Sequence, residues 1–281
     1  DGGKVWTSLP EPCTPIRSVH FVTPDLGYAV AGGSGVRLDG GVPATTGAGT
    51  LLMTTDGGRT GPPVPGAPAQ AQTVCFSSPS DGFLGTPGRV WQSTDGGRHW
   101  TASFTEPRRS STAAAGAPGD TTVIECAGEV AVWALFLGDG AALGHAPYLG
   151  YATQDARDWH VLFEEQYIES AIAPSVHAPQ GPGSYPGPFS AISPDSAAFV
   201  GWIPPEGLGA APLEMVTGGG AGHSMRGNVG GVTQAYGVAF VSATQGWVIG
   251  TDQTGPSKRG DYVIEATSDG GRTWTRQYAA G

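Results

Sequence analysis

Ser93-Thr94-Asp95-Gly96-Gly97-Arg98-His99-Trp100-Thr101 decides how the rest of the chain is read. It returns near the end as Thr267-Ser268-Asp269-Gly270-Gly271-Arg272-Thr273-Trp274-Thr275. A third copy, Thr54-Thr55-Asp56-Gly57-Gly58-Arg59-Thr60, keeps the turn but has Gly61 in place of the Trp. The chain opens inside a fourth, Asp1-Gly2-Gly3-Lys4-Val5-Trp6-Thr7. β-Forming residues such as Leu51-Leu52-Met53 and Tyr262-Val263-Ile264 precede the Asp, and a second strand begins at the Trp. An Asp carboxylate in a turn accepts hydrogen bonds from backbone N–H groups just downstream. The Gly-Gly pair supplies positive φ with no Cβ to clash. The Trp ring then folds back over the turn and buries it. Each copy reads as a tight β-hairpin.

A second signature recurs beside it, an alternating strand, a short turn and another apolar strand. It appears at Val19–Val30, Val74–Gly85, Val123–Trp133, Phe189–Gly201 and Val238–Gly250. Each is followed by an Asp turn or its remnant: Asp56, Asp95, the degenerate Thr153-Gln154-Asp155-Ala156-Arg157-Asp158-Trp159, a copy with Gly218 in the Asp position, and Asp269. Two successive hairpins make one four-stranded sheet, the blade of a propeller. The expectation is an all-β fold: a single β-propeller domain over 1–281, built of four-stranded antiparallel blades, five or six of them, with seven requiring cryptic blades. An extra outer strand near Lys4–Leu9 either closes the ring or belongs to a further blade. An opening in mid-motif is also what a fragment of a longer chain would show.

The repeated stretch resembles the Asp-box (BNR) repeat, S/T-x-D-x-G-x-x-W, of β-propellers such as sialidases, sortilin-type receptors, some xyloglucanases and photosystem II assembly factors. The resemblance spans nearly the whole chain. It implies that the boxes are scaffold, on the face away from any active site, so Asp1, Trp6, Asp56, Asp95, Trp100, Asp155, Trp159, Asp269 and Trp274 are structural. A sialidase site would need an arginine triad and a Tyr/Glu pair. The Arg-Ile-Pro motif is absent, since Pro15-Ile16-Arg17-Ser18 has the wrong order. Tyr167 with Glu165 and Glu169 is the nearest Tyr/Glu grouping.

Composition narrows the partners. A net charge of −10 argues against nucleic acid, which calls for a basic face. No apolar run reaches the ~18–20 residues of a membrane span. The composition fits a monomer without cofactor, and its Ala, Gly, Pro and Arg usage suits a GC-rich bacterial genome. Cys13, Cys75 and Cys126 lack metal-ligand spacing. They leave open one disulfide with a free thiol or three buried thiols. The histidines form no HxH or HExxH group, so no metal site is expected.

Loop length is the functional signal. Turns on the box face are short, whereas Gly33–Thr50, Gly138–Gly150, Ile203–Pro212 and Thr251–Asp261 within blades, and Thr105–Asp120, Glu164–Pro188 and Gly220–Gln234 between them, fall on the opposite face. Long loops clustered on one side carry binding or catalysis more often than connection alone. The candidate binding residues there are Arg37, Asp39, Arg108, Asp139, His145, Tyr148, Tyr167, Tyr185, His223, Arg226, Asp252, Arg259 and Asp261. The reading is a non-catalytic secreted or cell-envelope propeller that binds a protein segment or glycan through that face. The alternative is a glycoside hydrolase or lyase with a carboxylate pair in the same loops. Carboxylates are plentiful there, but no spacing singles out a pair.

Overall fold

The computed structural model describes residues 14–32, 35–39, 42–46, 49–107, 121–138, 148–165, 178–179, 181–183, 185–201, 209–254 and 260–280. Among them every regular element is a β-strand. Blade 1 comprises β1 (Ile16–Phe21), β2 (Gly27–Gly32) and β5 (Gly49–Thr54), with the hairpin β3 (Gly35–Asp39) and β4 (Val42–Thr46) inserted before β5. Its fourth position is held by a single bridge from Pro63 to Leu52. Blade 2 runs β6 (Thr73–Phe76), β7 (Gly82–Thr86), β8 (Arg89–Ser93) and β9 (Thr101–Thr105). Blade 3 runs β10 (Thr121–Cys126), β11 (Val132–Leu137), β12 (Tyr148–Thr153) and β13 (Trp159–Glu165). Blade 4 is β14 (Phe189–Ser193), β15 (Ser196–Val200), β16 (Pro212–Thr217) and β17 (Gly222–Asn228). Blade 5 is β18 (Gln234–Phe240), β19 (Gly246–Asp252), β20 (Asp261–Thr267) and β21 (Thr275–Ala280). The expected all-β propeller is therefore present, with five antiparallel blades in chain order. The Lys4–Leu9 strand falls outside the described residues.

The inner hairpins owe their shape to one cross-strand pair. Phe21, Phe76 and Phe240 end the innermost strands of blades 1, 2 and 5, opposite Gly27, Gly82 and Gly246. Each ring lies over its glycine, and a Cβ there would collide with it. That explains why the sequence alternates an aromatic and a glycine across so short a turn.

Blades pack face to face through four apolar clusters. Tyr28, Val30 and Leu51 meet Val74, Phe76 and Leu84 between blades 1 and 2. Cys75, Phe83 and Val90 meet Ile124, Phe136 and Tyr151 between blades 2 and 3. Trp133, Leu135 and Phe163 meet Phe189 and Phe199 between blades 3 and 4, and Leu213 and Met215 meet Val248 and Val263 between blades 4 and 5. A disulfide joins Cys75 on β6 to Cys126 on β10, with Cα atoms 5.7 Å apart, and staples the inner strands of blades 2 and 3. This resolves the cysteine alternatives for two of the three thiols, Cys13 lying outside the described residues.

The segments expected as long loops join strand ends remote from the Asp turns: Gly32 pairs with Gly49, Leu137 with Tyr148, and Asp252 with Asp261. One expectation fails. Gly220–Gln234 is not a loop throughout, because it contains β17, the outermost strand of blade 4. Small and polar residues, His-Ser-Met-Arg-Gly-Asn, hid a strand whose side chains are largely solvent-facing.

Candidate functional site

The Asp turns are built as the sequence implies. In the second, Gly97 N–H donates to Ser93 Oγ (2.8 Å), and the N–H groups of Arg98 and His99 donate to Asp95 Oδ1 (3.0 and 2.9 Å). Gly96 and Gly97 take φ of 73° and 85°, beyond easy reach of other residues. Donors held on the carboxylate favour its charged form. The Thr60 backbone bond first, then the Thr60 and Thr54 hydroxyls, bring Asp56 down to about 2. The Thr273 hydroxyl and N–H do the same for Asp269, also about 2, and His99 holds Asp95 lower still. The degenerate third turn survives because Ala156 adopts φ 61° and Asp155 still accepts from Arg157 and Asp158 N–H. These carboxylates are occupied by their own turns.

Blade 4 shows how its turn manages without Asp or Trp. Trp100 Nε1 donates to Gly97 O (2.9 Å) and Trp274 Nε1 to Gly271 O (3.2 Å), three residues back in each case. In blade 4 His223 Nε2 lies 3.1 Å from Gly220 O, again three residues back, and its ring meets Phe163 edge-on at 6.4 Å. His223 Nδ1 faces Glu214 Oε1 at 2.8 Å. His223 thus takes the Trp's place on the Asp-turn face, which corrects its assignment to the long-loop face. Both ring nitrogens therefore have an oxygen partner within hydrogen-bond distance.

The remaining expected residues scatter. Tyr148 is fully buried in β12, its hydroxyl donating to Gly183 O (2.7 Å); it is core, not a loop contact. Arg226 is exposed on β17, and Tyr185 is half-buried, its hydroxyl pKa raised by burial. Arg37 and Asp39 lie on β3. Asp252 and Asp261 pair across the far end of blade 5. Arg276 binds Asp252 (Nη2 to Oδ2, 2.8 Å) and Glu265 (Nε to Oε1, 2.7 Å). The Thr254 hydroxyl first, then Arg276, lower the Asp252 pKa, so this carboxylate belongs to an ion-pair cluster. Arg108, Asp139, His145, Tyr167 and Arg259 lie outside the described residues, as do Asp1 and Trp6. Among the described residues no group of His, Cys, Asp and Glu has the arrangement of a metal site.

Two features went unnoticed in the sequence. A groove of about 950 Å³ runs along the rim between blades 1 and 2. Its walls are Trp91 and Trp100, with Pro68, Pro87 and Pro107, and its polar groups are Gln70, Arg89 and Glu106. Arg89 stands 6.0 Å from the Trp91 ring centre, and Trp91 Nε1 donates to Thr86 Oγ1 (2.9 Å), which fixes the indole plane. Trp91 and Trp100 stay partly exposed. The crossover residues 66–70, distant in sequence from Trp91, complete the groove, so no local motif announced it. The second feature is Glu125 on the innermost strand β10, where burial pushes its carboxyl up to about 8 although the side chain keeps some solvent contact. Its signal was a lone acid in the apolar run Val123-Ile124-Glu125-Cys126.

No protein-family model matches the chain, and no curated protein matches it either. Solved structures do. A GH74 enzyme of Niastella koreensis is similar over 93% of this chain at 15% identity, with a TM-score of 0.54, and the chain spans 38% of that protein's length. A PL25 polysaccharide lyase, an ulvan lyase, is similar over 91% of this chain and 67% of its own at 10% identity, TM-score 0.50. At these identities the likeness establishes the fold, a β-propeller.

Proposed function

We propose that this propeller is carbohydrate-active and holds a polysaccharide chain in the groove between blades 1 and 2, as part of a glycoside hydrolase or polysaccharide lyase activity. The observation that carries the reading is the groove. Two part-exposed indoles present flat apolar surfaces to the C–H faces of pyranose rings, while Arg89 and Gln70 offer donors and acceptors at their edges. The GH74 enzyme and the PL25 polysaccharide lyase among the structural neighbours agree with glycan as the ligand class. The net charge of −10 favours a neutral glycan over a polyanionic one. The repeated Asp turns support reading the chain as an Asp-box propeller. The Cys75–Cys126 disulfide supports an oxidising, extracytoplasmic setting, secreted or cell-envelope.

A specific observation favours the second reading, a glycan binder without turnover. Carboxylates of blade 5 are engaged structurally, Asp252 and Glu265 both by Arg276, which leaves neither of them free for general acid or base work. Affinity electrophoresis through neutral and uronate-containing polysaccharides, run alongside reducing-end and unsaturated-uronate release, separates the two. Trp91→Ala should weaken retention about tenfold, from loss of roughly 1–2 kcal/mol of ring stacking. Retention unaffected by Trp91→Ala refutes the groove; retention without turnover selects the binder.

A further inference from the structure

The four interblade clusters join blade 1 to 2, 2 to 3, 3 to 4 and 4 to 5, and none among the described residues joins 5 to 1. The two faces left over are apolar. Phe76 and Phe240, which fill the clefts in front of blades 2 and 5, are 2% and 5% exposed; their counterpart Phe21, in front of blade 1, is 44% exposed. Val19 beside it is 56% exposed, in a row with Ala29, Leu52 and Pro63 across the sheet. The far side of blade 5 repeats this. Val30 and Leu135, which face the next blade from β2 and β11, are 0% and 1% exposed, whereas the corresponding Ile249 on β19 is 46% exposed. Ile249 is paired with Ile264, and Ile264 with Tyr278, so one apolar row crosses the sheet, with Tyr262 at 59% exposure next to it.

We propose that the space between blades 5 and 1 is an interaction surface for a sixth blade: a partner segment of three antiparallel strands, apolar on both faces. Area decides against the simplest competitor. A blade face of four strands, about 4.8 Å apart and about 20 Å long, offers roughly 400 Å². Pairing one such face with a second copy would bury only about 800 Å² in all, under the roughly 1,000 Å² of a stable interface. A three-stranded segment seated between both faces would bury about 1,150 Å² in all, above that threshold. The sequence holds a further copy of the turn motif ahead of blade 1. Trp6 stands ten positions before Ile16, close to the two shorter passages from a turn's Trp position to the next innermost strand, twelve from Gly61 to Thr73 and eleven from His223 to Gln234; the two with long crossovers, Trp100 to Thr121 and Trp159 to Phe189, take 21 and 30. The Asp1–Thr7 copy, outside the described residues, therefore has the spacing of a fourth strand one blade ahead of blade 1.

The probe is the three-stranded stretch Phe189–Thr217 of this same chain, tethered through a flexible Gly-Ser linker ahead of Asp1 so that its effective concentration is high. Full-length chains carrying Val19→Cys or Tyr262→Cys, with Cys13→Ser, are labelled with a maleimide. With the tethered probe, both sites should label about tenfold more slowly or beyond, as burial protects them. Adding Phe21→Glu and Ile249→Glu, two exposed positions, should restore fast labelling while circular dichroism stays that of the parent. Unchanged labelling at both sites, or protection of one face alone, overturns the proposal. So does concentration-dependent protection of the untethered chain accompanied by dimer mass in sedimentation, which would make a second copy the occupant.

Discussion

The Cys75–Cys126 bond closes a loop with a sequence separation of 51 and ties two neighbouring blades at their innermost strands. In the chain-entropy description, a loop of that length removes about 14 cal/mol/K from the unfolded ensemble, or about 4 kcal/mol at 25 °C. An unfolding entropy of about 2.1 cal/mol/K per residue, taken over a chain of this length, turns that into a loss of about 7 °C in melting temperature. The perturbation is the double variant Cys75→Ala, Cys126→Ala in a Cys13→Ser background, so that no third thiol exchanges with the pair. Alanine avoids stranding a hydroxyl at Cys75, which is only 1% exposed in the blade 2–3 cluster. The assay is urea and thermal unfolding with and without a strong thiol reductant. The parent should lose stability on reduction, and the variant should be lower at the outset and indifferent to reductant. A parent whose midpoint is unmoved by complete reduction, verified by thiol titration, would refute the reasoning.

Three further outcomes follow from the turns and the inner strands. His223→Trp should be tolerated or stabilising, since the indole Nε1 can reach Gly220 O as its counterparts do, whereas His223→Ala should cost about 1–2 kcal/mol in urea unfolding through the lost ring contact and hydrogen bond. Glu125 has a folded pKa of about 8, raised above its ordinary 4.5, so the folded state holds the extra proton: its contribution is fully present below 4.5 and is lost as pH rises through 8. Glu125→Gln should flatten that decline, and a parent equally stable at pH 5 and 9 would count against it. Asp56 and Asp269 are displaced the other way, to about 2, so the support they give is present above the unfolded carboxylate range and is lost as pH falls through 2. Asparagine at both should remove that dependence in acid titrations followed by circular dichroism.

The architecture was legible because it is repeated and local. The bonds that hold each Asp carboxylate and its Ser or Thr hydroxyl reach only four residues, from Ser93 Oγ to Gly97 N–H and from Asp95 to His99, so the turn's own sequence carries most of its chemistry. The fourth turn tested that legibility. Placing Gly218 at the Asp position should have put His223 at the Trp position five residues on, as Trp100 stands to Asp95. An imidazole does not look like an indole in a pattern, although it fills the same cleft and makes the same backbone bond. The groove was illegible for a different reason. Trp91 was indistinguishable from a packing residue until Gln70 and Glu106, brought by a crossover and by the end of β9, stood beside it. Such long-range convergence has no signature in spacing. That Tyr148 is core and Asp252 is ion-paired was not legible, because strand ends and loops share a composition, while burial and ion pairing depend on what packs alongside.

The unjoined faces of blades 1 and 5 also make the arc a one-dimensional array, in which each blade is held only by its neighbours. A closed ring gives every blade two supports; among the described residues the terminal blades have one. Backbone amides should then exchange with solvent in a gradient, fastest in β1 and β21 and slowest in β11, beside the covalent staple. Thermal fluctuation in this molecule would begin at the ends of the arc and work inward, blade by blade.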